Sequence, residues 1–370
     1  MFATSVQRFV YRRVLKPIFF RQDPEDTHDR VLAVGKLLGR SAATRAVTSW
    51  ALSYHHPALV QNVLGMRMEN PVGLTAGFDK NAELTDILPA VGFGFAEVGS
   101  ITGEPCPGNP RPRLWRLPKT GGLVVWYGLK NDGCEAVATR LRGKRFAFPV
   151  GISVAKTNSP DTTDVEKGIA DYAKAFAAFH DIGDYITVNI SCPNAFGGEP
   201  FAVPDRLKRL LTVLDKIPME KPVFLKVAVD ISPAELDALV RVADVHHVQG
   251  FVLSNLTKRR DRPEIHPEEI RGLDKGGVSG RPVRAASNAL IAHLYRTAGQ
   301  RYLIIGSGGV FSAEDAYEKI RAGATLVQLA TGMIFQGPQL IGEINKGLVA
   351  LLQKDGYANI AQAVGAAHSP

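Results

Sequence analysis

From Asn70 onward the chain repeats one pattern eight times: a short run of apolar, strand-favouring residues, then, in most cases, a segment of helical period. The runs are Val72–Ala76, Phe95–Val98, Val150–Val154, Tyr185–Ile190, Val223–Val227, Gly250–Ser254, Tyr302–Ile305 and Thr325–Leu329. They are nearly continuous apolar stretches rather than alternating ones, as expected for a parallel sheet covered on both faces. Helical period fills Asp164–His180, Pro204–Lys216, Ser232–Ala243, Pro282–Ala298 and Ser312–Ala322. Strands and helices in this order predict an α/β fold, a TIM (β/α)8 barrel. A doubly wound sheet is the competing architecture, but it usually carries G-x-G-x-x-G after its first strand, and none is found. One connection, residues 99–149, is long, rich in Pro and Arg over Pro105–Arg116, and helical near Asp132–Leu141. It reads as a lid or site wall.

The N-terminal stretch is different. Residues 1–21 carry Arg8, Arg12, Arg13, Lys16 and Arg21 and no acid, with Phe2, Val6, Phe9, Val10, Val14, Ile18 and Phe19 at mostly helical spacing. Such a basic amphipathic segment can lie in a membrane interface. The same pattern also suits a helix packed on the protein's own core, or a mitochondrial-type targeting segment. The charges interrupt any signal-peptide core, and no stretch reaches the roughly 18 uninterrupted apolar residues of a spanning helix. Asp23-Pro24-Glu25-Asp26 opens a second helical stretch, with an acidic first turn and Pro just inside. Helical pattern runs to about Leu52, and His55-His56-Pro57 breaks it, giving a small helical N-terminal domain (1–56) and a barrel (57–370).

Composition excludes several classes. The cysteines, Cys106, Cys134 and Cys192, are odd in number and form no C-x-x-C pair. That argues against a disulfide framework or a zinc site and fits a reducing compartment. No H-E-x-x-H is present, so no metal is expected. A net charge of +8 suits an anionic ligand or surface. Nucleic-acid binding is not expected, because no aromatic-rich basic reading motif is found.

In a β/α barrel the chemistry gathers at the C-terminal ends of the strands. The fourth run ends Val188-Asn189-Ile190-Ser191-Cys192-Pro193-Asn194. Pro193 has no N–H for a ladder, so the strand stops and Cys192 stands at its end between two carboxamides. A thiol there can remove a proton while the amides hold a planar polar substrate; a free cysteine is also commonly a buried small hydrophobe. The seventh and eighth runs end Gly306-Ser307-Gly308-Gly309 and Ala330-Thr331-Gly332. Their glycines let backbone N–H groups approach an anion, with a helix start following at Ser312, so they read as a phosphate cradle or, more blandly, as tight turns. Lys226, inside an apolar strand, needs a polar partner, either a cofactor's heteroaromatic oxygen or a structural ion pair. Lys80 follows a Gly-containing turn and suits a phosphorylated cofactor, an acidic substrate or open solvent. Together these residues describe a barrel for a phosphorylated planar cofactor facing a thiol base, and any redox chemistry would be the cofactor's.

These motifs, in this order, resemble the dihydroorotate dehydrogenase family, specifically its membrane-associated, quinone-linked class 2 form, over nearly the whole chain. The matching segments are Asn70-Pro71-Val72-Gly73-Leu74-Thr75-Ala76-Gly77-Phe78-Asp79-Lys80, the Pro/Arg loop Pro107–Leu117, Gly276–Pro282, Ile304–Val310 and Ala322–Leu329. The resemblance implies FMN as cofactor, held at Ala76, Gly77, Lys80, Ser100, Asn189, Lys226, Ser254, Gly280, Gly309 and Thr331. It implies dihydroorotate as substrate, bound by Lys80, Asn189, Asn194 and Asn255, with Cys192 as the catalytic base. His28 and Arg116 match quinone-side positions, and residues 1–56 match the membrane-binding and quinone-tunnel element. The implied location is peripheral to a membrane, the cytoplasmic face of the inner membrane if the source is bacterial.

The chain departs from the class 2 pattern in several places. Cys192 stands where class 2 enzymes usually carry serine, Ala195 where threonine follows, and Leu129 where a phenylalanine lies in the site loop. The hydroxyl relay that assists a serine base is therefore absent, which suits a thiol, a group closer to ionisation near neutral pH than a hydroxyl. Val125 replaces a substrate-binding asparagine, Leu256 a Thr or Ser, Ser153 an Asn and Ala330 a quinone-side Tyr. One reading is a dihydroorotate dehydrogenase with a remodelled pocket, in which Lys130 or Asn131 could supply a missing contact. A second is a flavin oxidoreductase on the same scaffold for a less polar cyclic amide or amino-acid derivative, favoured by Val125, Leu129 and Leu256. A third, a flavin-binding surface protein without turnover, is opposed by the intact Asn189-to-Asn194 motif and Lys80.

Overall fold

The computed structural model describes residues 2–192 and 194–368. Eight parallel strands close into a barrel: β1 (Val72–Leu74), β2 (Phe95–Ile101), β3 (Val150–Val154), β4 (Tyr185–Asn189), β5 (Val223–Val227), β6 (Gly250–Leu253), β7 (Leu303–Ser307) and β8 (Leu326–Leu329). Each strand pairs with its neighbours in sequence, and β8 closes on β1. The eight predicted runs are therefore the eight staves, with ends moved by a few residues. Pro193, to which the sequence assigns the end of β4, lies outside the described residues.

Size complementarity closes the barrel floor. Phe95, Tyr185, Phe224, Val252, Ile305 and Leu326 form one buried cluster. Gly73 and Gly151 leave room for two of these rings. A Cβ on Gly73 would lie 2.4 Å from Phe95 Cζ, and one on Gly151 would lie 2.0 Å from Tyr185 Cζ. A hairpin, Gln61–Val63 with Met66–Met68, plugs this end by adding Val63, Met66 and Met68 to the cluster. The sequence reading did not foresee it, because strands this short carry little periodic signal.

The opposite end is roofed. Within the long connection after β2, strands Leu114–Leu117 and Gly122–Val125 form an antiparallel sheet with Gly277–Gly280, which lies between β6 and β7 in sequence. Helix Cys134–Leu141 follows. The lid expected from sequence is thus a sheet assembled from two distant connections.

Helices occupy the N-terminal segment. Phe2–Val10 and Lys16–Phe20 are joined by a wider helical turn over Tyr11–Leu15, and Pro24–Gly39 and Ala42–Leu52 follow. Asp23 caps Pro24–Gly39 by accepting from the N–H groups of Glu25 and Asp26. Ser41 caps a new helix, so the stretch expected to run unbroken toward Leu52 is two helices. One side of this layer meets the barrel: the Tyr11 hydroxyl donates to Ile334 O at 2.7 Å, and Phe20 meets Phe335 edge-on. The other side leaves Val6, Phe9, Val14, Ile18, Val34, Leu37, Val47 and Trp50 exposed, Trp50 at 86%. No described helix is long and apolar enough to cross a membrane.

Candidate active site

Two adjoining chambers lie between the strand ends and the roof. One is lined by Ala76, Gly77, Lys80, Lys226, Ser254, Gly280, Gly309 and Thr331 and reaches outward to His28, Phe78, Leu114 and Ile334. The other is lined by Lys80, Ser100, Asn189, Cys192, Asn194 and Asn255. Ala76, Gly77, Lys80, Val125, Tyr127, Lys226, Asn255 and Leu256 border both. All ten positions matched to flavin contacts, all four matched to substrate contacts, and Cys192 thus face one continuous space.

Hydrogen bonds fix the amides of the second chamber. Asn189 Nδ2 donates to Ser100 Oγ at 2.9 Å, and its Oδ1 accepts from Ser191 Oγ at 2.9 Å. Asn255 Nδ2 donates to Ser191 O and Oγ at 2.8 and 3.0 Å. Asn194 Nδ2 donates to Val125 O at 2.8 Å, tying the end of β4 to the roof. The Ser153 hydroxyl bonds Ser100 Oγ at 2.7 Å and so supports Asn189 indirectly. Sequence reasoning did not single out Ser191, whose hydroxyl links two of the three amides. A small polar residue beside a candidate nucleophile was the only available signal.

The first chamber suits a phosphorylated planar group. Ser254 Oγ is buried without a hydrogen-bond partner among the described residues, a condition that costs free energy unless a ligand satisfies it. The backbone N–H groups of Gly308, Gly309 and Val310 likewise donate to no backbone acceptor among the described residues. Gly309 has φ +75°, and a Cβ there would lie 2.4 Å from Arg284 Cβ, so only glycine permits this loop. Ser312 then caps helix Ala313–Arg321. Ser279 and Thr331 hydroxyls, 2.9 Å apart, border the same cradle. FMN fits these residues: its phosphate suits the Gly308–Val310 amides, and a ring oxygen or nitrogen suits Ser254 and Lys226.

Lys226 has the partners that an ion-pair reading requires and also borders the chambers that a cofactor reading requires. Its Nζ lies 3.3 Å from Thr75 Oγ1 and 3.7 Å from Glu97 Oε1, and it also borders both chambers. Glu97, fully buried inside the barrel, accepts from Thr187 Oγ1 at 2.8 Å and Gln328 Nε2 at 3.2 Å. This polar layer sits in the barrel interior and supplies the anionic partner the lysine requires.

Charges at the roof follow from burial and crowding. Burial, then the neighbouring Lys130 ammonium, pushes Lys80 down to about 8, and its Nζ sits 4.0 Å from the Tyr127 ring centroid. His28 Nε2 lies 2.9 Å from Phe78 O, and burial together with Lys80 pushes the imidazole down to about 3, leaving it neutral. Arg116, expected on the quinone side, is turned to the N-terminal helices. Its Nη1 donates to Gln22 O at 2.8 Å and its guanidinium lies over Phe20, so it fastens the N-terminal helices to the roof.

One expectation changes. Asn131 cannot replace the missing asparagine, because its Nδ2 donates to Thr102 Oγ1 and Leu129 O and its Oδ1 accepts from Gly133 N. Lys130 does border the substrate chamber, although its Nζ also reaches Glu25 at 3.2 Å. The expectation that a thiol ionises more readily than a hydroxyl is untouched, but burial pushes Cys192 up to about 11, with the Asn194 N–H and Lys156 opposing. A thiol shielded by its neighbours loses part of the water that would solvate its anion, which residue type alone does not reveal.

The comparisons agree with this geometry. The family model for dihydroorotate dehydrogenase matches residues 58–352. A protein of Gloeobacter violaceus named dihydroorotate dehydrogenase (quinone) is 40% identical over 362 residues, covering 96% of this chain and 99% of its own. One of the same name from Acidithiobacillus ferrooxidans is 39% identical over 366 residues, 95% of this chain and 98% of its own. The solved structure of Eimeria tenella DHODH in complex with ferulenol superposes with a TM-score of 0.81 at 29% identity, covering 94% of this chain and 96% of that one. Barrel, chambers and full-length similarity together show that this chain belongs to the dihydroorotate dehydrogenase family, on its quinone-linked branch.

Proposed function

We propose that this chain oxidises dihydroorotate to orotate with a quinone as electron acceptor, that Cys192 is the base, and that Lys80, Asn189, Asn194 and Asn255 hold the substrate. The observation that carries the residue assignment is the convergence of one thiol, three oriented amides and Lys80 on a chamber continuous with the cradle that fits FMN. When bound, FMN accepts the two electrons that dihydroorotate loses and passes them to the quinone. The protein's own groups do the rest. Lys80 and the amides orient the pyrimidine ring so that its C5 proton meets Cys192 Sγ, which takes it. Val125 and Leu256 wall both chambers and exclude water from the ring. The outward extension past His28 and Ile334 toward the N-terminal helices suits the quinone.

Anaerobic addition of dihydroorotate to the FMN-loaded protein tests the reading. The flavin absorbance should bleach quickly and return on addition of a soluble quinone. A flavin that stays oxidised would overturn it and direct attention to a less polar ring against Val125 and Leu256.

The N-terminal segment, residues 1–56, is the membrane-facing part in this reading. Its exposed apolar side chains, interleaved with Arg8, Arg12, Arg13 and Lys16, support a peripheral attachment to an anionic bilayer. The full chain should float with anionic liposomes and a chain lacking residues 1–21 should not. Equal flotation would refute the assignment.

A further inference from the structure

The half-buried Cys192 thiol needs a compensating charge to act as a base, and the residues around it narrow the choice. Four lysines and several other titratable groups surround it. On the substrate side, Lys80, Lys130 and Lys226 border the chamber. Lys80 lies against the Tyr127 ring, Lys130 is 3.2 Å from Glu25, and Lys226 turns toward Thr75 and Glu97. Behind the thiol lies a separate small cavity walled by Leu129, Lys156, Tyr172, Asn189, Cys192 and Ala195. Glu199 and Cys106 also act on the thiol, and both disfavour its anion.

Lys156 is the cation on that rear side. It follows β3 directly and is 3% exposed. Its Nζ donates to Phe196 O at 2.7 Å and, more weakly, to Thr162 Oγ1 at 3.4 Å. It makes no ion pair with a carboxylate among the described residues. An ammonium has three N–H groups, so one remains; the Asp171 carboxylate also favours the ammonium, but its oxygens accept from Thr157 N and Oγ1 at 2.6 and 2.7 Å, so a thiolate across the cavity adds to its compensation. The rear cavity measures about 10 Å³, close to the space that one water requires. Tyr172 shapes it further: its hydroxyl donates to Asn189 O at 2.7 Å, and the Lys156 backbone N–H faces its oxygen. Ala195, at the position where the resemblance implies threonine, adds no hydroxyl of its own to this wall.

We propose that Lys156, across the rear cavity it shares with Cys192, supplies the positive charge that lets the thiol serve as a thiolate, and is therefore a positioning residue for the reaction. It takes the place of the hydroxyl relay that this chain lacks. The proton balance is simple. The Sγ–H bond is broken before the reaction, with the proton released to solvent. The thiolate then takes the C5 proton of the substrate and re-forms the S–H bond, and the next cycle releases it again. Lys156 stays an ammonium throughout, and no electrons pass through either residue. Each group favours the charged form of the other, although burial opposes both. The proposal rests on Cys192 being the base, but the effect of Lys156 on the thiol can be measured without turnover.

The test is the pH dependence of iodoacetamide alkylation at Cys192, read by peptide mass spectrometry on the FMN-loaded protein so that Cys106 and Cys134 are scored separately. In Lys156→Met the midpoint should rise by about one pH unit or more, as expected when a neighbouring opposite charge is lost. Lys156→Arg should keep the wild-type midpoint. The pH at which dihydroorotate bleaches the flavin should move in parallel. Should Lys156→Met fail to fold, Lys156→Gln keeps a donor for Phe196 O and removes the charge, and the same shift is expected. An unchanged midpoint in a folded, flavin-loaded neutral variant would overturn the proposal. A shifted midpoint together with full turnover in Cys192→Ala would uphold the Lys156 effect and refute instead the base assignment.

Discussion

Replacing Glu25 with glutamine probes how the N-terminal helices are fastened to the roof of the barrel. Glu25 lies in helix Pro24–Gly39 and is 3% exposed. Arg113 grips it with both arms, Nε to Oε2 at 2.9 Å and Nη2 to Oε1 at 2.8 Å, while Lys130 Nζ lies 3.2 Å and Arg111 Nε 3.1 Å away. Burial alone would raise this carboxyl, but hydrogen bonds from Arg113 and Lys130 prevail and hold it at about 2, against an ordinary 4.5. That gap corresponds to roughly 3 kcal/mol. The folded-state value lies below the unfolded one. The stabilisation is therefore complete above the unfolded value and is lost as pH falls toward the folded one. Breaking a buried pair from one side costs about 3–5 kcal/mol, because the remaining guanidinium keeps its charge without an anion. With an unfolding entropy of about 0.8 kcal/mol/K for a chain of this length, Glu25→Gln should lower Tm by roughly 4–6 °C. Thermal melts of both proteins at neutral pH and saturating FMN measure this directly. The difference should narrow as the pH is taken down through about 4. A Tm within a degree of wild type, or a difference that does not change with pH, would refute the reasoning.

Other consequences follow from the same structure. Cys192→Ala should keep its flavin and lose about 10²–10⁴-fold in dihydroorotate turnover; undiminished activity would remove Cys192 from the mechanism. Gly151→Ala would place a methyl 2.0 Å from Tyr185 Cζ, so Tm should fall by the equivalent of about 1–3 kcal/mol, and an unchanged Tm would show that the ring has room to move. Because His28 is held near 3 rather than 6.5, the quinone-dependent rate should show no inflection near pH 6.5, and a limb there that disappears in His28→Asn would contradict the neutral imidazole.

The eight staves were legible because a parallel strand buried on both faces is written as one apolar run. The chemistry was legible because barrel strands place it at one end: Cys192, Asn189, Asn194, Lys226 and the Ser307–Gly309 loop all fell at run ends. Elements built from very short strands were not legible. The hairpin Gln61–Val63/Met66–Met68 and the roof sheet have too few residues to show a period. Asn131 looked as available as Lys130 because adjacent polar residues in a loop carry no sign of which one turns inward.

Sequence alone therefore determined the barrel, the strand-end positions of the site residues and the family resemblance, all of which depend on residue type and order. Tertiary structure decided the charge states and the division of labour. It raised the Cys192 thiol, kept His28 neutral, committed Asn131 to the backbone and set Arg116 against Gln22 O and Phe20. Ionisation and hydrogen-bond partners depend on burial and on neighbours up to more than a hundred residues away in the chain, such as Lys130 at Glu25, and these exist only once the chain has folded.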